Sequence, residues 1–272
     1  MQTSFQYKNG NVSYRKEGSG QTVVLLHGFG EDSTIWDKQL PFLKAFCQVI
    51  VPDLPGSGQS TLLQPAKSET PVTIEDYADC IFALLQQEQV ASCIMLGHSM
   101  GGYITLAFAG KYSQVLNGFG LVHSTAFADS EEKKAARRKG IELMRQYGGF
   151  SFLKNTIPNL FADEYKQKNA ESVALLIEKG KEFSTDALIQ YYTAMIYRDD
   201  RTAVLKNSIV PVLFIIGSQD VAAPLNDLLQ QVHLPGVSYI HILEGVGHMG
   251  MWEATDEINK HLAAFIRDIN EP

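Results

Sequence analysis

The residues best suited to catalysis are a serine, an aspartate and a histidine that each follow an apolar run. Ser99 lies in a Gly-x-Ser-x-Gly motif between the apolar run at 93–96 and a helix-like pattern. Glycines let a buried strand turn sharply into a helix, so the motif predicts a nucleophile elbow with Ser99 at its tip. Asp220 and His248 follow later apolar runs of the same kind, in the chain order Ser, Asp, His.

A serine hydroxyl becomes a nucleophile when a base lies within hydrogen-bond reach and a third group orients that base. Loops at the carboxyl ends of parallel strands meet at one edge of a sheet, so these side chains are expected to come together there. His248 is the best-placed base. Asp220 is the preferred acid, and Glu244 is the main alternative because it is close to His248 in sequence. The remaining alternative acids are Asp129 and Asp227.

The elements that must position these residues alternate between strands and helices. Strands are predicted at 5–7, 12–15, 22–26, 48–52, 119–122, 211–217 and 239–243, and in the run that leads into Ser99. Helices are predicted at 39–46, 103–112, 225–232 and 255–267, and after Thr73, where Asp76 completes a capping-box pattern. The first two strands form a hairpin at Asn9-Gly10. This alternation predicts a parallel sheet with right-handed crossovers.

From about 125 to 201 the sequence shows only helical patterns, the first of which begins at Asp129. This segment is predicted to be a helical cap over the carboxyl edge of the sheet. It also carries the one basic cluster of the chain, formed by Lys133, Lys134, Arg137, Arg138 and Lys139 among several glutamates. Mixed charges of this kind favour a solvated helix face over a polyanion site.

Several short segments together carry a resemblance to a known family. They are HGFG at 27–30, DLPGSG at 53–58, GHSMGG at 97–102, Gly217-x-x-Asp220 and Gly247-His248. In this order and on these elements they resemble the α/β-hydrolase superfamily, in particular its capped single-domain serine hydrolases, among them esterases, lactonases and meta-cleavage-product hydrolases. The resemblance implies a mostly parallel eight-stranded sheet flanked by helices, with a helical cap inserted after the sixth strand. Residues 1–124 and 202–272 would form the core domain and 125–201 the cap.

The resemblance also implies roles for individual residues. Ser99 would be the nucleophile, His248 the general base and later the general acid, and Asp220 the carboxylate that orients the imidazole. The backbone N–H groups of Phe29 and Met100 would form the oxyanion hole. Neither a coenzyme nor a metal ion is expected.

Four side chains are candidates for the substrate pocket between cap and sheet. They are Trp36, His123, Phe127 and Tyr192. His123 is included because it ends a strand just before the cap, where members of the family place pocket residues. For each aromatic residue, a place in the hydrophobic core is the alternative.

The predicted function is hydrolysis of a small carboxylic ester, thioester or lactone through an acyl-enzyme. Relatives with the same triad also hydrolyse carbon–carbon bonds, act as cofactor-free haloperoxidases or transfer acyl groups, and these alternatives stay open. A ligand-binding receptor of the same fold is a further alternative. A serine at position 99 argues against the dehalogenase and epoxide hydrolase chemistry of relatives that use an aspartate nucleophile.

Composition supports a globular protein rather than a nucleic-acid-binding or membrane protein. The chain has 272 residues, of which 45% are hydrophobic and 19% charged, and its net charge of −7 argues against a nucleic-acid surface. The three cysteines, Cys47, Cys80 and Cys93, are expected to be buried reduced thiols. No signal-peptide or membrane-spanning pattern is visible, so a cytoplasmic location is expected. The expected partner is a small-molecule substrate, and the expected state is a monomer or homodimer.

Overall fold

The computed structural model describes residues 2–65 and 70–270, and its centre is an eight-stranded sheet. The strands are β1 (Gln2–Tyr7), β2 (Gly10–Glu17), β3 (Thr22–Leu26), β4 (Gln48–Pro52), β5 (Cys93–His98), β6 (Leu116–Val122), β7 (Val212–Gly217) and β8 (Ser238–Leu243). Their order across the sheet is β1-β2-β4-β3-β5-β6-β7-β8. β2 pairs antiparallel with β1 and β4, and all other neighbours are parallel. This architecture confirms the predicted fold class.

The helices flank this sheet. They are α1 (Leu40–Leu43), α2 (Ile74–Gln87), α3 (Met100–Tyr112), α4 (Glu131–Tyr147), α5 (Gly149–Thr156), α6 (Asp163–Lys168), α7 (Ala170–Lys179), α8 (Thr185–Ile196), α9 (Thr202–Lys206), α10 (Leu225–Leu229), α11 (Gly250–Glu253) and α12 (Thr255–Asn270). Short 3₁₀ turns occupy Ser33–Trp36, Ser113–Val115, Ile157–Leu160 and Gly180–Glu182. Within the described residues, no helix is both long and apolar enough to cross a bilayer.

The sheet separates two hydrophobic clusters. On β3, Val24 and Leu26 belong to the cluster that includes α2 and α3, whereas Val23 and Leu25 belong to the cluster that includes α1 and α12. Successive side chains of a strand point to opposite faces, so a strand covered on both faces is apolar at every position. This explains why β3, β5 and β7 are fully buried along their whole length.

Helix boundaries differ from the sequence-based predictions in several places. The capping box of α2 is present as predicted, with the Thr73 N–H donating to Asp76 over 2.9 Å. α3 begins at Met100 rather than at 103, because the elbow leads directly into the helix. α1 and α10 are shorter than predicted. In the hairpin, Tyr7 pairs with Gly10, so the turn lies one residue earlier than expected.

Between β6 and β7 the described chain forms helices and 3₁₀ turns and no strand. We call residues 125–201 the cap segment; its separation as a domain stays a prediction. The prediction that its first helix begins at Asp129 was wrong, because Ser130 caps α4 by accepting from the Lys133 N–H over 3.2 Å. The solvated-face interpretation was also wrong for Arg137, which is largely buried against the carboxylate of Asp129.

Candidate active site

The sharp turn between β5 and α3 places Ser99 at the carboxyl edge of the sheet. Ser99 has a φ of +50° and a ψ of −116°, a conformation that few non-glycine residues adopt. Hydrogen bonds on both sides hold it: its N–H donates to the Val122 carbonyl over 3.0 Å, and its carbonyl accepts from the Ser124 hydroxyl over 2.7 Å. Its side chain is half-buried. The strained backbone is therefore fixed by the neighbouring strand.

Two glycines of the GHSMGG segment are required by close contacts. A Cβ at Gly97 would lie 2.2 Å from the Gly101 carbonyl oxygen, and a Cβ at Gly101 would lie 2.5 Å from the Leu26 carbonyl oxygen. Real Cβ atoms do not approach backbone atoms this closely, so both positions need glycine. The motif is thus explained by backbone contacts across the turn.

Asp220 and His248 come together from the loops after β7 and β8. The Nδ1 of His248 lies 2.8 Å from Oδ2 and 3.0 Å from Oδ1 of Asp220, and both residues are buried. The Ala222 and Ala223 N–H groups also donate to Asp220 Oδ1, each over 2.8 Å. These contacts hold the carboxylate against the imidazole, and they leave Nε2 as the nitrogen that can act on another group.

The contact between His248 and Asp220 shifts the pKa values of both residues. Burial alone would lower the pKa of His248, but the carboxylate charge and hydrogen bond of Asp220 outweigh burial and raise it. Burial alone would raise the pKa of Asp220, but its contacts with His248 and His123 hold it well below its usual range. Asp220 is therefore ionised, and it stabilises the imidazolium that His248 forms when it accepts a proton.

His98, the last residue of β5 and the neighbour of Ser99 in the chain, contacts the His248 backbone. The Nε2 of His98 lies 2.9 Å from the His248 carbonyl oxygen, and the two imidazole rings are 4.9 Å apart. In the part of the chain that the structure describes, the Ser99 hydroxyl makes no hydrogen bond. Catalytic hydrogen bonds are often long without substrate, so this geometry is compatible with a base that engages Ser99 when substrate binds.

The proposed oxyanion donors lie on two adjacent segments. Met100 is the first residue of α3, and the loop after β3 brings Gly28 so close that a Cβ built there would be 3.1 Å from Ser99 Cβ. Within residues 2–65 and 70–270, neither the Phe29 N–H nor the Met100 N–H donates a backbone–backbone hydrogen bond in a turn, loop or helix cap. The assignment of these two groups to an oxyanion hole stays a prediction.

The three alternative acids all lie away from the His248 imidazole. Glu244 is exposed beside a surface cavity of about 610 Å³, and Asp227 lies 3.9 Å from the Lys133 ammonium. Asp129 contacts Arg137 and Arg198. The structure thus brings Asp220, and none of these three, to the imidazole of His248.

The four candidate pocket residues separate into two groups. Trp36 is fully buried in the cluster that includes α1 and α12, and His123 is fully buried beside Asp220, so neither presents an accessible surface to a ligand. Phe127 and Tyr192 are half-buried in the cap segment. The Tyr192 ring lies 4.3 Å from the Phe29 ring, which places Tyr192 next to the proposed oxyanion loop.

His123 contacts the acid rather than a pocket. It has a φ of +50°, and its Nδ1 lies 3.2 Å from Asp220 Oδ2. Burial lowers the pKa of His123 to about 4, so at neutral pH it is uncharged and donates its Nδ1–H to the carboxylate. His123, Asp220 and His248 each offer one ligand atom within 4.8 Å of the others, a spacing that a metal ion could use, but these hydrogen bonds already account for it. The absence of a metal requirement stays a prediction.

Two glutamates at the site, the buried Glu31 and the half-buried Glu253, were not found from the sequence. Glu31 accepts from the Gly28 N–H over 2.6 Å and lies 2.9 Å from His98 Nδ1. Glu253 accepts from the N–H groups on either side of His248, at Gly247 over 3.1 Å and at Met249 over 3.0 Å. A glutamate follows the HGFG segment and another follows Gly247-His248, but nothing in the sequence distinguishes them from the many exposed glutamates.

Comparisons with known proteins bear on the family and the fold of this chain. The family model described as the alpha/beta hydrolase family matches residues 23–261. An esterase from Thermogutta terrifontis, solved with malate bound, superposes with a TM-score of 0.91 at 25% identity, over 99% of both chains.

Two curated relatives point to more varied functions. The dihydrolipoyllysine-residue acetyltransferase component of an acetoin cleaving system from Pseudomonas putida is 28% identical over 91% of this chain, which spans 64% of that protein. The karrikin insensitive 2 receptor CA of Petunia hybrida is also 28% identical, over 89% of this chain and 90% of the receptor. These relatives differ from one another in function. Because the family model covers most of the chain, the chain belongs to the alpha/beta hydrolase family, and its similarity to an esterase supports a hydrolase enzyme.

Proposed function

We propose that this protein hydrolyses a small carboxylic ester, thioester or lactone through an acyl-enzyme on Ser99. The observation that carries the proposal is the 2.8 Å contact between His248 Nδ1 and Asp220 at the sheet edge that also presents the Ser99 elbow. The malate-bound esterase with the same fold supports ester hydrolysis as the reaction class. The substrate carbonyl would lie between Ser99 and the Phe29 loop.

Acylation would begin with attack of Ser99 Oγ on the carbonyl carbon. His248 Nε2 takes the hydroxyl proton as the new C–O bond forms, and Asp220 stabilises the resulting imidazolium. The Phe29 and Met100 N–H groups donate to the oxyanion, and loss of one such donor typically costs about 2.7–4 kcal/mol of transition-state stabilisation. The tetrahedral intermediate collapses, the bond to the leaving group breaks, and the leaving group takes the proton from Nε2.

Deacylation repeats these steps with water. His248 Nε2 removes a proton from water as its oxygen attacks the acyl carbon, and the Ser99 oxygen leaves with that proton. The free acid is released and the triad returns to its starting state. Every proton is thus carried by one imidazole, whose other nitrogen Asp220 holds in place.

Turnover of p-nitrophenyl acetate and longer acyl esters tests the proposal. We expect a burst of p-nitrophenol from the wild type and a loss of roughly 10⁴-fold or more in kcat for Ser99→Ala. A fluorophosphonate should label Ser99, located by peptide mass spectrometry. A label on another residue, or equal turnover by Ser99→Ala, would show that Ser99 is not the nucleophile.

A ligand-binding receptor is the second candidate, and its support is the similarity to the karrikin insensitive 2 receptor. A receptor with the same triad would show little or no turnover at any acyl length while still binding a small ligand. Saturable turnover with at least one acyl length decides for the enzyme.

A further inference from the structure

Two arginines of the cap segment share a single buried carboxylate. Asp129 lies 2.6 Å from Arg137 Nε and 2.9 Å from Arg198 Nη1, and its side chain has no exposed surface. We call these three residues the arginine cluster. Two guanidinium charges and one carboxylate leave it with a net charge of +1, and a buried charge without a partner is unfavourable. An anionic ligand would complete the cluster.

The two arginines are bound differently. The Arg198 guanidinium donates to two main-chain carbonyls of the cap segment, each over 3.0 Å, lies 4.0 Å above the Tyr103 ring and has a side chain only 4% exposed. The Arg137 side chain is 19% exposed, and its hydrogen bonds to Asp129 use Nε and Nη2. Arg198 therefore has a structural role, and Arg137 is the member of the cluster that a ligand can reach.

The arginine cluster adjoins the proposed active site. The Arg137 guanidinium lies 5.1 Å from the Tyr192 ring, and that ring lies 4.3 Å from Phe29 in the proposed oxyanion loop. Tyr103, which contacts Arg198, is four residues after Ser99 on α3. Ser99 is the N-cap residue of α3, so Tyr103 lies in the first turn of the helix that follows the nucleophile. Contacts therefore run from Phe29 in the proposed oxyanion loop through the Tyr192 ring to the Arg137 guanidinium.

We propose that Arg137 binds a free carboxylate carried by the substrate, so that the preferred substrates are anionic esters such as half-esters of short dicarboxylic acids. The inference rests on the proposed ester hydrolysis. A guanidinium keeps its charge at all working pH values and presents a planar set of donors that matches a carboxylate. The aromatic rings of Tyr192 and Phe29 would pack on the methylene chain between the carboxylate and the reacting carbonyl.

A matched pair of ethyl esters tests the proposal. Monoethyl glutarate and ethyl pentanoate differ by a carboxylate in place of the terminal methyl group, and a pH-stat measures hydrolysis of both. We expect the wild type to prefer the glutarate half-ester about tenfold or more in kcat/KM, and Arg137→Gln to lower that ratio by about tenfold or more. Arg138→Gln makes the same charge change at the next, exposed position of α4 and should leave the ratio unchanged. Arg137→Lys keeps the charge without the planar donors and should give an intermediate ratio.

The outcomes separate this inference from the proposed function. One outcome is that ethyl pentanoate is hydrolysed in a Ser99-dependent way but the wild type has the same kcat/KM for both esters. Another is that Arg137→Gln lowers kcat/KM equally for both esters. Either outcome overturns only the carboxylate site. If Ser99→Ala hydrolyses both esters as fast as the wild type, the proposed function itself is overturned. Binding gives a readout without turnover: glutarate should slow fluorophosphonate labelling of the wild type and Arg138→Gln but not of Arg137→Gln. If glutarate slows the labelling of all three proteins by the same factor, or slows none of them, the inference is overturned.

Discussion

At the scale of single residues, the charges around His248 determine the pH range in which it can act as a base. The Asp220 carboxylate raises the pKa of His248 against the opposing effect of burial. A general base must be neutral, so kcat/KM for a neutral ester should rise with pH and reach half its maximum above about 6.5. A pH–rate profile between about pH 5 and about pH 9 measures this directly. A midpoint clearly below 6.5 would contradict the assigned pair.

Replacing the acid tests which carboxylate orients the base. Asp220→Asn should lower kcat by roughly 10⁴-fold, because the amide cannot stabilise the imidazolium and can hold the ring in the wrong tautomer. The matched control is Glu244→Gln, which removes an exposed carboxylate near His248 in sequence and should leave kcat within about twofold, as exposed substitutions usually do. Steady-state kinetics on p-nitrophenyl acetate compares the two. A large effect of Glu244→Gln alone would move the role to Glu244.

At the scale of elements, one carboxylate joins the His248 loop to the cap segment. Glu253, at the end of α11, accepts from the N–H groups of Gly247, Met249 and Ala162, the last over 2.9 Å. The His248 N–H also donates to the Leu160 carbonyl over 2.7 Å. The backbone on both sides of the base is therefore held by a side chain that also binds the cap segment.

Glu253→Gln should consequently act on kcat more than on KM. The amide retains one oxygen acceptor but places an NH₂ group against backbone N–H donors, and hydrogen bonds to charged groups are worth about 1.5–3 kcal/mol each. We expect a decrease of roughly 10- to 100-fold in kcat, with a much smaller change in KM, because Glu253 does not contact the proposed substrate site.

Glu257→Gln is the control for this change, since Glu257 is exposed on α12. Circular dichroism at the assay temperature should show both variants folded. An effect on KM alone, or none on kcat, would remove Glu253 from the positioning of the base.

Sequence patterns determined some elements better than others for physical reasons. β3 and β4 have the predicted bounds of 22–26 and 48–52, because a strand buried on both faces is apolar throughout and polar residues mark its ends. The start of α4 was misplaced because Asp129 and Ser130 are both good N-cap residues. What decides between them is the contact of Asp129 with Arg198, far away in the chain.

The same distinction applies within the site. The placement of Ser99, Asp220 and His248 at one edge of the sheet could be predicted because each lies in the turn or loop after a strand. Glu31 and Glu253 could not, because their roles come from backbone N–H groups that the fold brings to them. His123 was correctly placed at the end of a strand, but its contact depends on the loop that carries Asp220.

At the scale of the whole molecule, buried titratable groups favour the fold more at neutral pH than in acid. Burial lowers the pKa of His27, and lowers that of His123 to about 4. From about pH 6.5 down to about pH 4, His123 takes up a proton in the unfolded chain but not in the folded protein, so the free energy of unfolding falls as pH falls through this range. The lowered pKa of His27 acts in the same direction.

Buried carboxylates extend this trend to lower pH, and one histidine opposes it. Contacts with His98 outweigh burial and lower the pKa of Glu31, and contacts with Arg137 do the same for Asp129. Their contribution is complete above their unfolded pKa values, near 4, and is lost as pH falls through the lower folded values. His248 has a raised pKa, so its contribution is present below about 6.5 and is lost as pH rises through the folded value.

We therefore expect the thermal unfolding midpoint to fall as the pH is lowered from about 7 to about 4, with His123 as one separable cause. His123→Asn should be less stable at neutral pH, because Asp220 loses a donor, but should depend less on pH in this range. A shift from 6.5 to about 4 corresponds to about 3 kcal/mol of pH-dependent stability. Asn tolerates a positive φ, so the backbone at this position can be retained.

The control variant is His233→Asn, which removes an exposed histidine and should leave the dependence of the unfolding midpoint on pH as in the wild type. If His123→Asn instead kept that dependence, the uptake of protons would have to come from other groups.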